Sequence, residues 1–370
     1  MVRIMVAPGK YVQAPRILEE AGKYIAPLGS RVFFIGGPSS WSIVKEQISA
    51  SLAQWALECH YEPFSGICTK AEANAASEKA RGFGADVVVG VGGGSALDTA
   101  KAVFDQVDSA LVTIPTVASN DAPCSAVSVQ YDENHRLVGF LKLKRNPDLV
   151  LVDSKVIAEA PTRFLVAGMG DAMATWFEAF TCTKSSAKNV HDGVSTSAAL
   201  GLARLCHDTL MEYGVAAKLA VDQNAVTPAV EKVIEANILL SGLGFESAGV
   251  AAAHGIQDGM HALAGTEGSL HGEMVAFGTI AQLVMENYPK AEIDRVIAFF
   301  NAVGLPVSLR QIGVSDASRE HLMKAAEAAC MEGLPTRNTF FPIDPETVLG
   351  ATIGANALGE DSLSRLGRRD

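Results

Sequence analysis

Four short, continuously apolar runs in the first half of the chain constrain its fold more than any other feature. They read RVFFIGG, ADVVVGVGGG, ALVTIPT and PDLVLVD, at residues 31–37, 85–94, 110–116 and 147–153. Runs without polar alternation are typical of strands that are buried on both faces of a parallel sheet. Helical stretches at 41–57, 70–82 and 95–106 separate the runs. We therefore expect crossover helices to cover both faces of a parallel sheet.

The second half of the chain has a different pattern. After Pro161 the apolar runs give way to Ala, Leu, Met and Glu at helical spacing. The sequence thus predicts an α/β domain over 1–160 and an all-helical domain over 161–370. Within the first of these, the alternating segment 125–143 predicts a β-hairpin that turns around Asp132 to Asn134.

Composition and charge argue against several classes of function. The 370 residues, 48% of them hydrophobic, suffice for the core of an ordinary globular enzyme. A formal charge of −11 without a basic run disfavours nucleic acid and anionic membrane surfaces as partners. The N-terminus lacks the apolar stretch of a signal peptide, and the six cysteines are scattered without a C-x-x-C pair. We therefore expect a cytoplasmic protein with reduced thiols and no membrane partner.

A glycine-rich turn follows the second of the apolar runs. In VVVGVGGGSALDTAKA, residues 87–102, Gly92, Gly93 and Gly94 lead into a helix that begins near Ser95. Glycines allow close backbone approach to a ligand, and the free N–H groups of a helix N-terminus suit a pyrophosphate. The turn lacks G-K-[ST], and Ser95 stands where G-x-G-x-x-G requires glycine. A tight turn without any ligand is the alternative.

A second polar loop follows the next predicted strand, in TIPTVASNDAPCSAVSV at 113–129. Its small hydroxyls and one acid would lie at the carboxyl edge of the sheet, where open α/β folds bind their ligands. These residues are Thr113, Thr116, Ser119, Ser125 and Asp121. The same side chains also serve turns and helix caps. Two such loops on adjacent strand ends together favour a nucleotide site.

Three histidines fall within AAAHGIQDGMHALAGTEGSLHGE, residues 251–273. On one helix, His254 and His261 would share a face but lie about 10.5 Å apart along the axis, so one zinc ion could not easily bind both. The i, i+4 partner of His254 is Asp258, and a glycine-containing loop could fold His271 back over the first segment. Asp171, which follows Gly170, is a further candidate ligand or simply a helix N-cap. Spacing alone leaves the metal question open.

The chain resembles the glycerol dehydrogenase branch of the iron-containing alcohol dehydrogenase superfamily over nearly its whole length. The resemblance lies in APGKYVQ, GVGGGSALDTAKA, IPTVASNDAPCSAVSV, AGMGDAMATWFEA, TPAVEKVIEAN, GFES, AAAH, HGEMVAFG and AEAAC. It implies the dehydroquinate synthase-like fold, an α/β dinucleotide-binding domain followed by a helical domain, with the site in the cleft. This agrees with the two patterns described above.

The resemblance also implies a metal centre. It places a divalent metal, usually zinc, on Asp171, His254 and His271. Members with four ligands carry further histidines where this chain has Thr175 and Asp258, so a three-ligand site is expected. His261 falls on no ligand position.

The implied cofactor is NAD. By position it would contact Gly93, Gly94, Ser95, Thr116, Ser119, Ser125, Val127 and Tyr131. Asp121 matches the position that contacts a substrate hydroxyl. Gly37 stands where NAD-preferring relatives often carry an aspartate that bonds the ribose and repels a 2′-phosphate, so NADP tolerance is also expected. Ser95 replaces a lysine that is usual in the family.

The implied activity is reversible oxidation of glycerol to dihydroxyacetone, and of related vicinal diols, by a homo-oligomer of the kind that forms octamers in the family. One alternative is a metal- and NAD-dependent lyase of the dehydroquinate synthase type. That reaction, like oxidation of glycerol 1-phosphate, needs Lys and Arg around a phosphorylated substrate, and no such cluster adjoins the three ligand positions in sequence. A dehydrogenase for another small diol or hydroxyketone, and a non-catalytic nucleotide-binding module, are further alternatives.

Overall fold

A six-stranded parallel sheet forms the centre of the first half of the chain. This computed structural model describes residues 1–133 and 136–367. The strands are β1 (Tyr11–Ala14), β2 (Arg31–Gly36), β3 (Glu58–Pro63), β4 (Val87–Gly92), β5 (Ala110–Pro115), β6 (Val127–Tyr131), β7 (Leu137–Lys142) and β8 (Leu149–Asp153). The sheet order is β1-β8-β5-β4-β2-β3, and β6 pairs with β7 in a separate antiparallel hairpin. All four strands predicted from apolar runs are confirmed.

Among the described residues, helices account for the remaining regular structure, apart from two isolated β-bridges, short 3-10 helices and the π-helix Ala236–Leu240. They are α1 (Ala21–Ile25), α2 (Pro38–Gln54), α3 (Lys70–Phe83), α4 (Gly94–Gln106), α5 (Ser154–Glu159), α6 (Thr162–Ser185), α7 (Ser197–Val221), α8 (Pro228–Glu235), α9 (Ser241–Ala248), α10 (Ala252–Met260), α11 (His271–Met285), α12 (Lys290–Val303), α13 (Arg319–Ala329) and α14 (Pro345–Leu366). The prediction of a helical second half is confirmed for the described residues.

The sheet is buried on both faces because its strands carry apolar residues at successive positions. Val32 and Phe34 of β2 pack on one face with Ile48 of α2, whereas Phe33 of the same strand packs on the other face with Phe104 of α4. Each apolar layer removes large side chains from water at about 1.5–3 kcal/mol apiece. This burial explains why the strands lack the polar alternation of a half-exposed sheet.

The sequence pattern did not predict two strands of the sheet, β1 and β3. Strand β3, with the sequence ECHYEP, lies at the sheet edge and is largely exposed, so it has no apolar run. Strand β1 has only four residues and lies at the opposite edge. Charged residues on an edge strand also oppose pairing with another chain.

The predicted hairpin is confirmed as β6 and β7. Its register pairs Val129 with Phe140, and an irregularity occurs between Gln130 and Tyr131. Asn134, which the prediction placed in the turn, lies outside the described residues.

The chain divides into two compact units. One, here the sheet unit, comprises Val6–Leu165 and Leu219–Gly242; the other, the helical unit, comprises Met1–Met5, Val166–Lys218 and the chain from Leu243 onward. The predicted domains 1–160 and 161–370 stay a prediction, since each compact unit also includes a segment from the opposite half. Among the described residues no single helix is long and apolar enough to span a membrane, and one bent pair, Pro228–Ala248 with Ala252–Met260, meets that test by length and composition only.

Candidate metal centre and nucleotide-binding loops

The metal candidates all lie in the helical unit, and the first of them is in the middle of a long helix. Helix α6 begins at Thr162, nine positions before Asp171. The interpretation of Asp171 as a helix N-cap is therefore wrong, because Gly168 and Gly170 do not interrupt the helix. Glu178 follows seven residues later, so it lies on the same helix face as Asp171.

Close helix packing brings His271 to Asp171. A Cβ atom on Gly272 would lie 1.9 Å from the carbonyl oxygen of Ala167, and one on Gly170 would lie 2.3 Å from the carbonyl oxygen of Gly272. Only residues without a side chain permit helices α6 and α11 to approach so closely. His271 is the first residue of α11, so this contact sets its distance from Asp171.

The three predicted ligands converge on one carboxylate oxygen. Asp171 Oδ1 lies 3.2 Å from His254 Nε2 and 3.3 Å from His271 Nε2. One ligand atom from each of the three residues lies within 4.8 Å of the other two. The side chains of Asp171 and His254 are 3% and 18% exposed, whereas that of His271 is 43% exposed. The cluster is therefore enclosed on the Asp171 side and reachable from solvent beside His271.

These distances fit a small divalent ion. Two ligands bound to a tetrahedral zinc at about 2.0–2.1 Å lie about 3.3–3.4 Å apart. The two nitrogen-to-oxygen distances of 3.2 and 3.3 Å match that separation. Three protein ligands would leave room for water or substrate, as catalytic sites require.

Glu178 fixes the orientation of His254. Its Oε2 accepts a hydrogen bond from His254 Nδ1 at 2.6 Å, and its Oε1 accepts from the backbone N–H groups of Ala251 and His254 at 2.9 Å each. The buried carboxylate thus caps the N-terminus of α10, a position that favours negative charge. With Nδ1 carrying the proton, Nε2 is the nitrogen that presents a lone pair to a metal.

Neighbouring charges shift the pKa values of Asp171 and His254 more than burial does. Burial by itself raises the pKa of Asp171, but the neighbouring His271 and His254 hold it well below its usual range. Burial likewise lowers the pKa of His254, but Glu178 and Asp171 raise it well above its usual value. The buried carboxylates therefore require positive charge beside them, which bound protons or a divalent cation can supply.

Two other candidates from the same stretch stay outside the cluster. Helix α10 ends at Met260, so His261 is at its C-terminal cap and contacts Gln257 Nε2 through its own Nε2 at 2.8 Å. Within the described part of the chain, neither His261 nor Asp258 belongs to the three-residue cluster. Burial raises the pKa of Asp258.

The predicted cofactor residues lie in the sheet unit, at the carboxyl ends of adjacent strands. Gly37 follows β2, Gly93 and Gly94 follow β4, and Thr116 follows β5. Strand β4 lies between the other two, so these loops meet at one edge of the sheet. Gly92 takes a φ of 141°, which allows the chain to turn sharply into α4.

Gly93 is the N-cap residue of α4, and Gly94 is its first residue. A Cβ on Gly94 would lie 2.8 Å from the side-chain nitrogen of Asn120 in the neighbouring loop. Ser95 is exposed. The N-terminus of α4 therefore presents its backbone N–H groups at the predicted pyrophosphate position.

A fully buried lysine holds the second loop. Lys101 Nζ lies 2.6 Å from the carbonyl oxygen of Ala122, 2.7 Å from that of Val127 and 3.0 Å from Ser125 Oγ. Asp98 Oδ1 lies 3.3 Å from the same nitrogen. Since lysine is almost never fully buried without partners, its charge here orders the loop between β5 and β6.

The remaining predicted residues differ in how open they are. Ser125 is buried, with its hydroxyl bonded to Lys101, while Ser119 and Asp121 are partly exposed. Val127 and Tyr131 are the first and last residues of β6 and are also partly exposed. Asp121 Oδ2 accepts a hydrogen bond from Ser241 Oγ at 2.6 Å. The predicted cofactor contacts of these residues stay predictions.

Sequence reasoning missed Glu178 and Lys101. Glu178 is a charged residue inside an otherwise apolar helical stretch, and that contrast was the available signal; the helix of Lys101 also carries Asp98 and Asp105, so it offered no such contrast. The seven-residue spacing of Asp171 and Glu178 places both on one helix face. A buried charge is costly unless it is paired, so the position of Glu178 pointed to a built site.

Comparison with known proteins agrees with this architecture. The model of the family described as iron-containing alcohol dehydrogenase matches residues 8–154. A glycerol dehydrogenase of Citrobacter freundii is 43% identical over 99% of this chain and 100% of its own length. A glycolaldehyde reductase of Halobacterium salinarum is 41% identical over 97% and 98%. The crystal structure of a probable glycerol dehydrogenase from Sinorhizobium meliloti superposes with a TM-score of 0.92, at 42% identity over 97% of this chain and 99% of that one.

A parallel sheet with a glycine turn, together with a helical unit that clusters one aspartate and two histidines, agrees with these relatives and with the class of NAD-dependent, metal-containing alcohol dehydrogenases. The chain belongs to the iron-containing alcohol dehydrogenase family. It is accordingly an oxidoreductase, as the sequence resemblance implied.

The contact between α6 and α11 is testable with Gly272→Ala. The added methyl group would force the helices apart, and we expect a stability loss of about 1–3 kcal/mol. We also expect at least about tenfold weaker metal binding, because His271 moves from Asp171. Chemical unfolding and chelator competition measure the two effects. Gly201→Ala in α7 is the control, because a Cβ there would meet nothing within 4 Å. It should stabilise the protein by about 0.5–1 kcal/mol. Unchanged metal affinity in Gly272→Ala would contradict a role for this helix contact in placing His271.

Glu178→Gln tests how His254 is oriented. The amide can present an N–H group to Nδ1, which would move the imidazole proton to Nε2 and block the metal-binding nitrogen. We expect about 10–100-fold weaker metal binding, measured by chelator competition. The control is Glu286→Gln, a carboxylate bonded to Thr181 and Gln282, which should change affinity by less than about threefold. Equal effects of the two variants would rule out a specific role for Glu178.

Proposed function

We propose that the protein is an NAD- and metal-dependent glycerol dehydrogenase that interconverts glycerol and dihydroxyacetone and also accepts related vicinal diols. The observation that carries this proposal is the convergence of Asp171, His254 and His271, whose ligand atoms lie within 4.8 Å of one another. The 43% identity to a full-length glycerol dehydrogenase supports the choice of substrate.

Each group has a stated task in this reaction. When bound, a divalent metal lowers the pKa of a substrate hydroxyl, and the nicotinamide accepts hydride from the carbinol carbon. Asp171, His254 and His271 would hold the metal, and Glu178 keeps His254 in the binding tautomer. The N-terminus of α4 would bind the pyrophosphate, with Gly93, Gly94 and Ser95 nearest to it. Asp121 would accept a hydrogen bond from a substrate hydroxyl that is not oxidised.

Zinc is the metal we propose. Two imidazoles and one carboxylate form the ligand set of several catalytic zinc sites, although the same set also binds ferrous iron. Elemental analysis of protein purified without added metal distinguishes the two. The homo-oligomeric state, with an octamer as one form, and the cytoplasmic location likewise remain part of this proposal.

A lyase that acts on a phosphorylated carboxylate is the weaker candidate. Such a substrate calls for Lys and Arg beside the metal. The charged groups that act on His254 are instead the carboxylates of Glu178 and Asp171, and the Asp258 carboxyl is near enough to His254 and His271 for both to lower its pKa. An acidic surrounding suits a neutral polyol better than an anion. The glycolaldehyde reductase among the relatives makes glycolaldehyde a necessary member of any substrate panel.

The activity is tested by NADH absorbance with glycerol and NAD. We expect turnover that a chelator abolishes and added zinc restores. His271→Ala should lose the metal and at least about a hundredfold in kcat/KM, near 2.7 kcal/mol. Its NAD affinity should stay within about threefold, because the nucleotide loops lie in the sheet unit. His261→Ala is the matched control and should keep both metal and activity. Full activity in His271→Ala would contradict the assignment of His271 as a metal ligand.

Gly37→Asp tests cofactor choice. Gly37 has φ −63° and ψ 147° as the N-cap of α2, and a Cβ there would meet only Ser40 Oγ at 3.9 Å. An aspartate therefore fits without strain. We expect kcat/KM with NADP to fall at least about tenfold while that with NAD is kept, since the carboxylate repels a 2′-phosphate.

Gly37→Asn is the control for that substitution, since it also caps a helix but carries no charge. It should leave the ratio of the two cofactors nearly unchanged. A wild-type preference for NAD above about a thousandfold, near 4 kcal/mol, would show that another residue excludes NADP.

A further inference from the structure

A π-helix adjoins the loop that carries Asp121. The segment Ala236–Leu240 lies between α8 and α9, and π-helices are rare elements that occur frequently at functional sites. Two side chains from this region bond the loop. Asn237 Nδ2 donates to the carbonyl oxygen of Ala118 at 3.0 Å, and Ser241 Oγ donates to Asp121 Oδ2 at 2.6 Å. Asn237 of the π-helix thus bonds the backbone of the loop, and Ser241, which directly follows the π-helix, bonds its one acid.

The hydrogen bond between Ser241 and Asp121 lies in a closely packed part of the sheet unit. Ser241 is fully buried. A Cβ on the next residue, Gly242, would lie 2.8 Å from the Cβ of Cys124 and 3.4 Å from the carbonyl oxygen of Asp121. The segment after Ser241 therefore packs closely against the loop beside the hydrogen bond. Asp121 itself is partly exposed, so the hydrogen bond from Ser241 orients a carboxylate that solvent can reach.

We propose that Ser241 is a positioning residue for polyol recognition. Its hydroxyl holds the Asp121 carboxylate in the rotamer that accepts a hydrogen bond from a substrate hydroxyl beyond the reacting diol. The inference rests on the proposed function, in which Asp121 contacts substrate. A hydrogen bond from a hydroxyl to a carboxylate is short and among the stronger ones in proteins, which suits it to fixing one rotamer.

The proposal predicts a selective effect on substrates. Glycerol has a third hydroxyl, whereas 1,2-propanediol has the vicinal diol alone. Loss of the Ser241 hydroxyl should therefore harm glycerol oxidation and spare 1,2-propanediol oxidation. A serine that merely stabilised the fold would affect both substrates equally.

The experiment measures kcat and KM for both diols with metal-loaded wild-type protein, Ser241→Ala, Asp121→Asn and the double variant. We expect Ser241→Ala to lower kcat/KM about tenfold for glycerol, mainly through KM, and less than about twofold for 1,2-propanediol. In the Asp121→Asn background the serine substitution should add nothing, because its effect passes through that carboxylate. A crystal structure of Ser241→Ala should show Asp121 in a different rotamer on an unchanged backbone.

Two further variants keep the test decisive. Ser77→Ala, which removes a buried helical hydroxyl bonded to Ala73 in α3, should leave both substrates unaffected. If Ser241→Ala does not fold, Ser241→Cys keeps the volume with a weaker donor and should show the same selectivity at smaller size. Equal losses of kcat/KM for the two diols in Ser241→Ala, or additive effects of Ser241→Ala and Asp121→Asn, would overturn the role of Ser241. The proposed function would still hold if the wild-type protein oxidises glycerol. Wild-type protein that oxidises neither diol overturns both.

Discussion

The site in the helical unit depends on one buried carboxylate oxygen that two imidazoles share. Asp171 Oδ1 lies 3.2 Å from His254 Nε2 and 3.3 Å from His271 Nε2. This arrangement requires three helices to meet at van der Waals limits, which the glycine contact between α6 and α11 permits. It also requires positive charge beside the buried carboxylates of Asp171 and Glu178, which bound protons or a divalent cation can supply. Packing and electrostatics therefore act on the same few atoms, and a divalent cation satisfies both.

In the sheet unit, buried polar side chains order the loop between β5 and β6. A polar loop at a sheet edge would ordinarily be mobile. Here the buried ammonium of Lys101 bonds the carbonyl oxygen of Ala122 in the loop and that of Val127 at the start of β6, and Asn237 bonds the carbonyl oxygen of Ala118. The loop consequently presents Asp121 from a fixed backbone. Such preorganisation lowers the entropic cost of binding, because the loop is ordered before any ligand arrives.

The sequence predicted the sheet, the glycine turn and the helical second half, since apolar runs and helical periodicity are local properties. It missed β3 because an exposed edge strand needs no apolar run. Spacing could not connect Asp171 with His254 and His271, since their proximity arises from helix packing; the family resemblance proposed that set. Gly168 and Gly170 suggested a helix start at Asp171, but tertiary packing of α6 overrode that local signal. The role of Glu178 likewise depends on where α10 begins, which a pattern along the chain does not show.

The central claim is that Asp171, His254 and His271 bind one catalytic metal. X-ray diffraction from crystals of the zinc-loaded protein, collected on both sides of the zinc absorption edge, tests it most directly. The account predicts one strong anomalous peak within about 2.0–2.2 Å of Asp171 Oδ1, His254 Nε2 and His271 Nε2. A peak at another group of residues, or no peak in crystals of protein that retains chelator-resistant activity, would contradict it.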